Sequence, residues 1–215
     1  MRELIQKAME QLEQLGIIPI DYAVLRSLFP NYRSPLNKIS NLEKEGKIIR
    51  LKRGLFVVSP KISRQILSTE LIANHLYGTS YVSMETALRY YGLIPEQVYT
   101  VRSMTPNRSK KFLNPIGNFE YITVGEDYYS IGIKQQVESN YSFLIATPEK
   151  ALCDMIVATP HLQVQSMKAL SSYLEDDLRL DVSYLEKMDV EIIRQCAETG
   201  KKKDSLSTLL KYLQR

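Results

Sequence analysis

Residues 34–59, SPLNKISNLEKEGKIIRLKRGLFVVS, decide the fold of the first part of this chain. Ser34 is a favourable N-cap residue, Pro35 suits the first helical position, and Gly46 is a typical helix end. The apolar residues between them recur at helical spacing, which predicts that they face a core. They are Leu36, Ile39 and Leu42. We therefore expect a helix that ends near Gly46.

Two short runs of β-branched and aromatic residues follow directly, within residues 47–59. They are separated by Lys52-Arg53-Gly54, and a glycine at this position can supply the positive φ of a tight turn. This pattern predicts a basic β-hairpin with Lys52 and Arg53 projecting from its tip.

Two further helices are predicted before this stretch. The first covers residues 2–15 and stops at Gly16, and the second covers residues 21–29 and stops at Pro30. Three helices followed by a basic hairpin are the order of a winged helix-turn-helix domain, which we expect to span residues 1–62. A hairpin that packs on the helices for purely structural reasons is the alternative.

Residues 63–215 are predicted to form a second, α+β domain with a small antiparallel sheet and C-terminal helices. Strand-like runs punctuated by Pro, Gly and Asn fill residues 97–146. The segments with helical spacing, or with the Thr-Pro-Glu signature of a helix start, are residues 63–77, 82–91, 147–149, 162–174, 182–198 and 205–213. The whole chain is therefore assigned to the α+β class.

The charge of the chain is concentrated in its first part. The net charge is +4, from 28 basic and 24 acidic residues. Residues 1–64 hold 12 Lys/Arg and 6 Asp/Glu, which leaves 16 basic and 18 acidic residues for the remainder. A net charge of +6 on the first part against −2 on the rest is expected if only the first part faces a polyanion.

The polar side of the third helix and the hairpin supply suitable chemistry for duplex DNA. Asn pairs bidentately with adenine, Lys and Arg reach guanine or phosphate, and a hairpin tip lies close to the backbone or the minor groove. The predicted DNA-binding residues are Arg33, Ser34, Asn37, Lys38, Asn41, Lys44, Arg50, Lys52 and Arg53. A candidate second contact is the loop cluster Arg108, Lys110 and Lys111, for which a solvated loop is an equal alternative.

The sequence favours a protein that is not an enzyme. It contains no GxGxxG, GxxxxGK[ST], HExxH or GxSxG motif, and it predicts no cofactor and no metal site. One enzymatic alternative is a metal-dependent nuclease that uses Glu149, Lys150 and Asp154. We favour the other interpretation of this stretch, a helix N-terminus at Thr147-Pro148-Glu149 with the acidic side chain near the positive end of the helix dipole. Another alternative is a protein-interaction module without DNA binding.

The chain is expected to be cytoplasmic and to have no membrane partner. It lacks a run of about 18 apolar residues, the length needed to cross a bilayer, and its opening residues lack the apolar region of a signal peptide.

Three stretches give the sequence a family resemblance: LEKEGKIIRLKRGLFVV at 42–58, SYVSMETALRYYGLIPEQ at 80–97 and ATPEKALCDMI at 146–156. With the three-helix start they resemble the AbiEi-type antitoxins of type IV toxin-antitoxin systems, which act in abortive infection and phage defence. The likeness covers about residues 5–160. The last two stretches are its specific part, and Glu85, Thr147 and Glu149 match the family without an assigned role.

The resemblance implies a repressor that binds the promoter of its own operon. It also implies a functional partner, a nucleotidyltransferase-like toxin, which such antitoxins counteract without forming a stable complex. The family's DNA-contact positions correspond to the third helix and the hairpin of this chain.

Overall fold

The computed structural model describes residues 2–30 and 32–214, with side chains from residue 6 onward, and shows an α+β fold. The first part holds three helices and a three-stranded antiparallel sheet in the order β1-β3-β2. Its elements are α1 (Arg2–Gln14), β1 (Ile20–Asp21), α2 (Tyr22–Ser27), α3 (Pro35–Lys44), β2 (Ile48–Lys52) and β3 (Leu55–Val58). The three predicted helices and the hairpin are confirmed as elements. The two-residue strand β1 was not predicted.

Glycines close two of these elements as expected. Gly46 follows α3 with φ +65°, and Gly54 forms the hairpin turn with φ +80°. Both values lie in the left-handed region, which costs little only for glycine. The turn also contacts α2, because the backbone N–H of Tyr22 donates to the Gly54 carbonyl at 3.0 Å.

The first part buries a compact apolar cluster, which we call the first core. It consists of Ala8, Leu12, Ile20, Leu25, Phe29, Ile39, Leu42, Ile48, Phe56 and Val58. Helix α3 contributes Ile39 and Leu42 to it, as predicted. Leu36 was predicted to join them, and this is wrong, because its side chain is 65% exposed. At 3.6 residues per turn, Leu36 lies about 90° around the helix from the midpoint of Ile39 and Leu42.

The rest of the chain forms a six-stranded sheet with helices packed on it. Its elements are α4 (Pro60–Ser63), α5 (Thr69–Leu76), β4 (Tyr81–Val82), α6 (Met84–Tyr90), β5 (Thr100–Thr105), β6 (Lys110–Asn114), β7 (Gly117–Thr123), α7 (Glu126–Tyr129), β8 (Ile133–Val137), β9 (Ser142–Ala146), α8 (Pro148–Ala158), α9 (Met167–Ser172), a π-helical turn (Tyr173–Asp177), a 3-10 turn (Val182–Lys187), α10 (Val190–Thr199) and α11 (Lys203–Leu213). None of the described helices is long and apolar enough to span a bilayer.

The sheet of this second part is larger and less regular than predicted. Its strand order is β6-β7-β5-β4-β9-β8, and the pairs β4/β9 and β5/β7 are parallel. The expectation of a small antiparallel sheet is therefore wrong in size and in two pairings. Alternation of apolar and polar residues identifies a strand but carries no information about which strand lies beside it.

Three predicted helices start later than expected, each after a capping residue. Helix α9 begins at Met167, not at residue 162, and the Ser166 side chain accepts from the Ala169 N–H. Helix α5 begins at Thr69, not at residue 63, and the Ser68 side chain accepts from the Leu71 N–H. The predicted helix 182–198 divides into the 3-10 turn and α10, which Asp189 caps by accepting from the Glu191 N–H.

The hairpin connects the first core to a second one, formed by the six-stranded sheet and its helices. Phe56 and Val58 of β3 lie in the first core, whereas Val57 is fully buried in the second. Leu51 of β2 also belongs to the second core. The Asn114 side chain in β6 donates to the Leu51 carbonyl at 3.2 Å. The hairpin is therefore buried on two sides.

The two leucines of α3 provide a stability test of this packing. Leu42→Ala removes a fully buried side chain and should lower the free energy of unfolding by about 2–5 kcal/mol. Leu36→Ala removes an exposed side chain and should change it by less than about 0.5 kcal/mol. Urea denaturation followed by circular dichroism measures both values. Equal losses for the two variants would contradict the orientation of α3.

Candidate nucleic-acid interface

The exposed side of α3 presents small polar and basic groups. Asn37, Asn41 and Lys44 are exposed, and Ser40 is half-buried. Leu36 lies at the edge of this side, about 90° around the helix from the midpoint of the buried Ile39 and Leu42. The prediction grouped Leu36 with the core because it precedes Ile39 and Leu42 at three-residue spacing, but this spacing turns each residue about 60° from the last and so leaves Leu36 at the edge of the exposed side. The exposed helix side therefore contains one apolar residue among polar ones.

The start of α3 leaves its polar side chains accessible. Ser34 occupies the N-cap position, but its hydroxyl makes no capping hydrogen bond, and its carbonyl accepts from the Lys38 N–H at 3.3 Å. Arg33 and Ser34 are exposed. Lys38 is half-buried, with its ammonium 5.8 Å from the centre of the Tyr32 ring. Ser34 is thus a cap by position only.

A concave surface lies between α3 and the hairpin, and it encloses a volume of about 510 Å³. Its lining combines the exposed helix side with the hairpin turn: Tyr22, Leu36, Asn37, Ile39, Ser40, Arg50, Arg53, Gly54 and Phe56. Arg53, at the turn, is exposed. The structure therefore brings Asn37 and Arg53 to one surface.

Arg50 was predicted to contact DNA, but its guanidinium is engaged within the protein. Its Nε and Nη2 donate to the two oxygens of Glu43 at 2.9 and 2.6 Å. It also lies over the Phe56 ring, 5.0 Å from the centre. The bidentate hydrogen bond lowers the pKa of Glu43 and raises the pKa of Arg50. The charge of Arg50 is therefore largely offset by an adjacent carboxylate.

Lys52 does not project from the hairpin tip, so this part of the prediction is wrong. Its ammonium donates to the Leu76 carbonyl at 2.6 Å and lies 6.0 Å from the centre of the Phe112 ring. Burial, and then the nearby charge of Lys110, lower the pKa of Lys52. The β2–β3 register shifts between Arg50 and Lys52, and such an irregularity redirects the side chain that follows it.

Two of the three basic side chains in the candidate second DNA contact are also engaged within the protein. The Lys110 ammonium lies 5.5 Å from the ring centre of Tyr77 and 5.0 Å from that of Phe112. Lys111 forms an ion pair with Glu120 at 2.7 Å. Arg108 is exposed, and its carbonyl accepts from the Tyr77 hydroxyl at 3.1 Å. Lys110 and Lys111 lie in strand β6 and not in a loop as predicted, and their engaged charges make this cluster a weaker candidate than the exposed side of α3.

Because of these contacts, fewer of the predicted DNA-binding lysines and arginines remain exposed and free of a carboxylate partner. Among residues 6–30 and 32–214, whose side chains are described, no carboxylate forms an ion pair with Arg33, Lys44 or Arg53. Lys47, by contrast, pairs with Glu45 at 2.6 Å. These three cations lie beside the exposed polar residues and the exposed leucine of α3. We call the whole set the α3–wing surface, which consists of Arg33, Ser34, Leu36, Asn37, Ser40, Asn41, Lys44 and Arg53.

The residues of the nuclease alternative lie in the interior. Lys150 and Asp154 are both 0% exposed, and their charged atoms are 3.5 Å apart. The Lys150 ammonium donates to the Tyr128 carbonyl at 2.7 Å. The Asp154 carboxylate accepts from the hydroxyls of Ser83 at 2.6 Å and Tyr81 at 3.1 Å. Burial raises the pKa of Asp154, and Lys150 opposes this shift.

Glu149 faces a different neighbour, so the three residues do not converge on one site. One of its carboxylate oxygens accepts from the Asp189 N–H at 3.1 Å. Thr147 caps α8 by accepting from the Lys150 N–H at 3.4 Å, as the helix-start interpretation predicted. Among the described residues, no group of three or more His, Cys, Asp or Glu side chains is arranged to hold a metal ion. This geometry does not favour the nuclease alternative.

Glu85, from the central stretch, belongs to a chain of ion pairs. One of its oxygens accepts from Arg102 Nη1 at 2.5 Å, and Arg102 Nε donates to Glu120 at 3.2 Å. Glu120 also pairs with Lys111, and these contacts lower its pKa. Glu85 therefore connects α6 to β5 and, through Arg102, to β7.

Comparison with protein-family models gives no match for this chain, and comparison with curated proteins gives none either.

A substitution in the buried Lys150–Asp154 pair tests whether the pair has a structural role. Lys150→Met leaves the Asp154 carboxylate buried without its cation and should lower the free energy of unfolding by about 3–5 kcal/mol. Lys134→Met, at an exposed lysine in β8, is the control and should change it by less than about 0.5 kcal/mol. Urea denaturation measures both. A Lys150→Met variant with unchanged stability that has lost a magnesium-dependent DNA cleavage activity would support the nuclease alternative.

Proposed function

We propose that this chain is a sequence-specific DNA-binding repressor whose first part acts as a winged helix-turn-helix domain. The observation that carries the proposal is the α3–wing surface. It places the exposed amides of Asn37 and Asn41 on one helix side, beside the exposed guanidinium of Arg53 on the hairpin turn. In this arrangement α3 enters the major groove and the hairpin acts as the wing that contacts the backbone.

The residues divide into two kinds of DNA contact. Asn37 and Asn41 read base edges, because an amide has a donor and an acceptor in one plane. Arg33, Lys44 and Arg53 contribute phosphate contacts, which give affinity and register but carry no sequence information. Arg50 and Lys52, already engaged by Glu43 and by Leu76, contribute less than their charge implies.

We further propose that the chain is the autoregulating antitoxin of a type IV toxin-antitoxin operon and acts in the cytoplasm. This proposal rests on the sequence resemblance described above. The DNA target is then the operon's own promoter, and the functional partner is a nucleotidyltransferase-like toxin that forms no stable complex with it. Repression and toxin neutralisation would belong to different parts of the chain, the α3–wing surface and the six-stranded sheet with its helices.

The asparagines of α3 test the base-reading role. The double variant Asn37→Ala/Asn41→Ala should bind the preferred operator more weakly by on the order of 1–3 kcal/mol per lost bidentate contact. Its affinity for random duplex DNA should barely change, because an amide gains little from the phosphate field. Fluorescence anisotropy with both duplexes measures this difference. A folded double variant that keeps its full operator preference would exclude α3 as the reading helix.

The two neighbouring cations of the wing test the phosphate-contact role. Arg53→Ala should weaken binding to all sequences alike and reduce the salt dependence by about one released counterion. Lys52→Ala should leave that salt dependence almost unchanged, since the Lys52 ammonium is bound to the Leu76 carbonyl. Affinities measured over a salt series check both. The reverse result would show that Lys52 leaves Leu76 to contact DNA.

The antitoxin proposal is tested in cells by co-expressing this chain with a nucleotidyltransferase-like protein encoded in the same operon. When foreign promoters drive both genes, the full chain and the Asn37→Ala/Asn41→Ala variant should restore growth equally, because neutralisation does not use the α3–wing surface. Residues 1–62 alone should not restore it. Failure of the full chain to restore growth, or a stable complex on co-purification, would contradict this part of the proposal.

A further inference from the structure

Leu36 is the one strongly exposed apolar residue that the structure describes on the α3–wing surface. Its side chain is 65% exposed and lines the concave surface together with Asn37, Ser40 and Arg53. It is the second residue of α3, directly after Pro35. Such a position lies in the first helical turn, where recognition helices reach base edges.

The surroundings of Leu36 are too polar and too small for a protein docking patch. Its exposed neighbours in the concave surface are Asn37 and the hairpin cation Arg53, whereas the apolar residues Ile39 and Phe56 of the same lining are buried in the first core. A stable protein interface buries about 800 Å² on each partner, far more than one side chain offers. A partner that fits Leu36 in this setting is a small apolar group surrounded by polar and anionic ones.

The major groove of DNA provides one such group. Among the base edges exposed there, only thymine carries an apolar substituent, its 5-methyl group. We infer that Leu36 recognises the 5-methyl group of a thymine, so that the preferred duplex contains a thymine beside the bases read by Asn37. This inference rests on the proposed DNA-binding function and adds to it a specificity-determining contact of different chemistry.

The expected effect has a definite size and a definite salt behaviour. Replacing the contacted thymine by uracil removes the methyl group and leaves the Watson–Crick edge unchanged. The affinity should fall about fourfold, the factor that corresponds to the burial of one methyl-sized group. Since no counterion is released by an apolar contact, this factor should be the same at about 50 and 200 mM salt.

The test begins with the full chain and a pool of random duplexes, from which the preferred sequence is selected. Each thymine of that sequence is then replaced by uracil in turn, and affinities are measured by anisotropy for the wild type, Leu36→Ala and Leu36→Met. The matched control is Val137→Ala in β8, because Val137 is 68% exposed and lies outside the α3–wing surface.

The inference requires that Leu36→Ala lose both affinity and the ability to distinguish thymine from uracil. At least one thymine of the selected sequence should show the fourfold uracil effect with the wild type, Leu36→Met and Val137→Ala. Leu36→Ala should bind the thymine duplex about fourfold more weakly and should no longer distinguish thymine from uracil. Circular dichroism melting checks that this variant remains folded, as its exposure predicts.

Three results would overturn the inference. One is a selected duplex in which no thymine is sensitive to uracil. Another is a uracil effect that survives in Leu36→Ala. The third is a Leu36→Ala loss that is equal for thymine and uracil and accompanied by weaker self-association, which would assign Leu36 to a contact between two copies. In all three cases the proposed DNA binding stands, whereas a chain that selects no duplex at all removes both proposals.

Discussion

The alternation of side chains along β3 is the constraint on which the rest of the structure depends. Phe56 and Val58 point into the first core and Val57 into the second, so a four-residue strand is buried on both faces. A shift of one residue would exchange these faces and place each side chain in the wrong core. The hairpin turn that carries Arg53 is consequently held at a fixed position relative to both α3 and the six-stranded sheet.

Within this frame, local acceptors decide which basic residues remain available to a polyanion. Glu43 takes the guanidinium of Arg50 in a bidentate contact, and the Leu76 carbonyl takes the ammonium of Lys52. Arg53, one residue further, has neither kind of partner among the described residues. Net charge therefore indicates which part of the chain is suited to the proposed DNA contact, but the number of Lys and Arg residues overstates how many cations are free for phosphates.

The sequence predicted what depends on local chemistry and failed where tertiary context decides. Helix α3 and the hairpin follow from Pro35, Gly46 and Gly54, whose conformational preferences act within a few residues. The exposure of Leu36 depends on where the first core lies around the helix, which apolarity alone does not specify. The direction of Lys52 depends on a register shift in β2, and the parallel strand pairs depend on contacts between distant segments.

The two stretches that carry the specific part of the family resemblance, residues 80–97 and 146–156, meet in the interior of the second part. The Tyr91 hydroxyl donates to the Ala146 carbonyl at 3.0 Å, and the Ser83 hydroxyl donates to the carboxylate of Asp154 in α8. An ionic pair in an apolar core is costly unless its remaining hydrogen bonds are made, so the residue types around Asp154 are restricted by folding. A likeness concentrated in such a network reflects the requirements of the second core. Under the proposed antitoxin function, the neutralising surface is therefore to be sought among exposed residues of the same part, because substitutions in the buried network act on stability first.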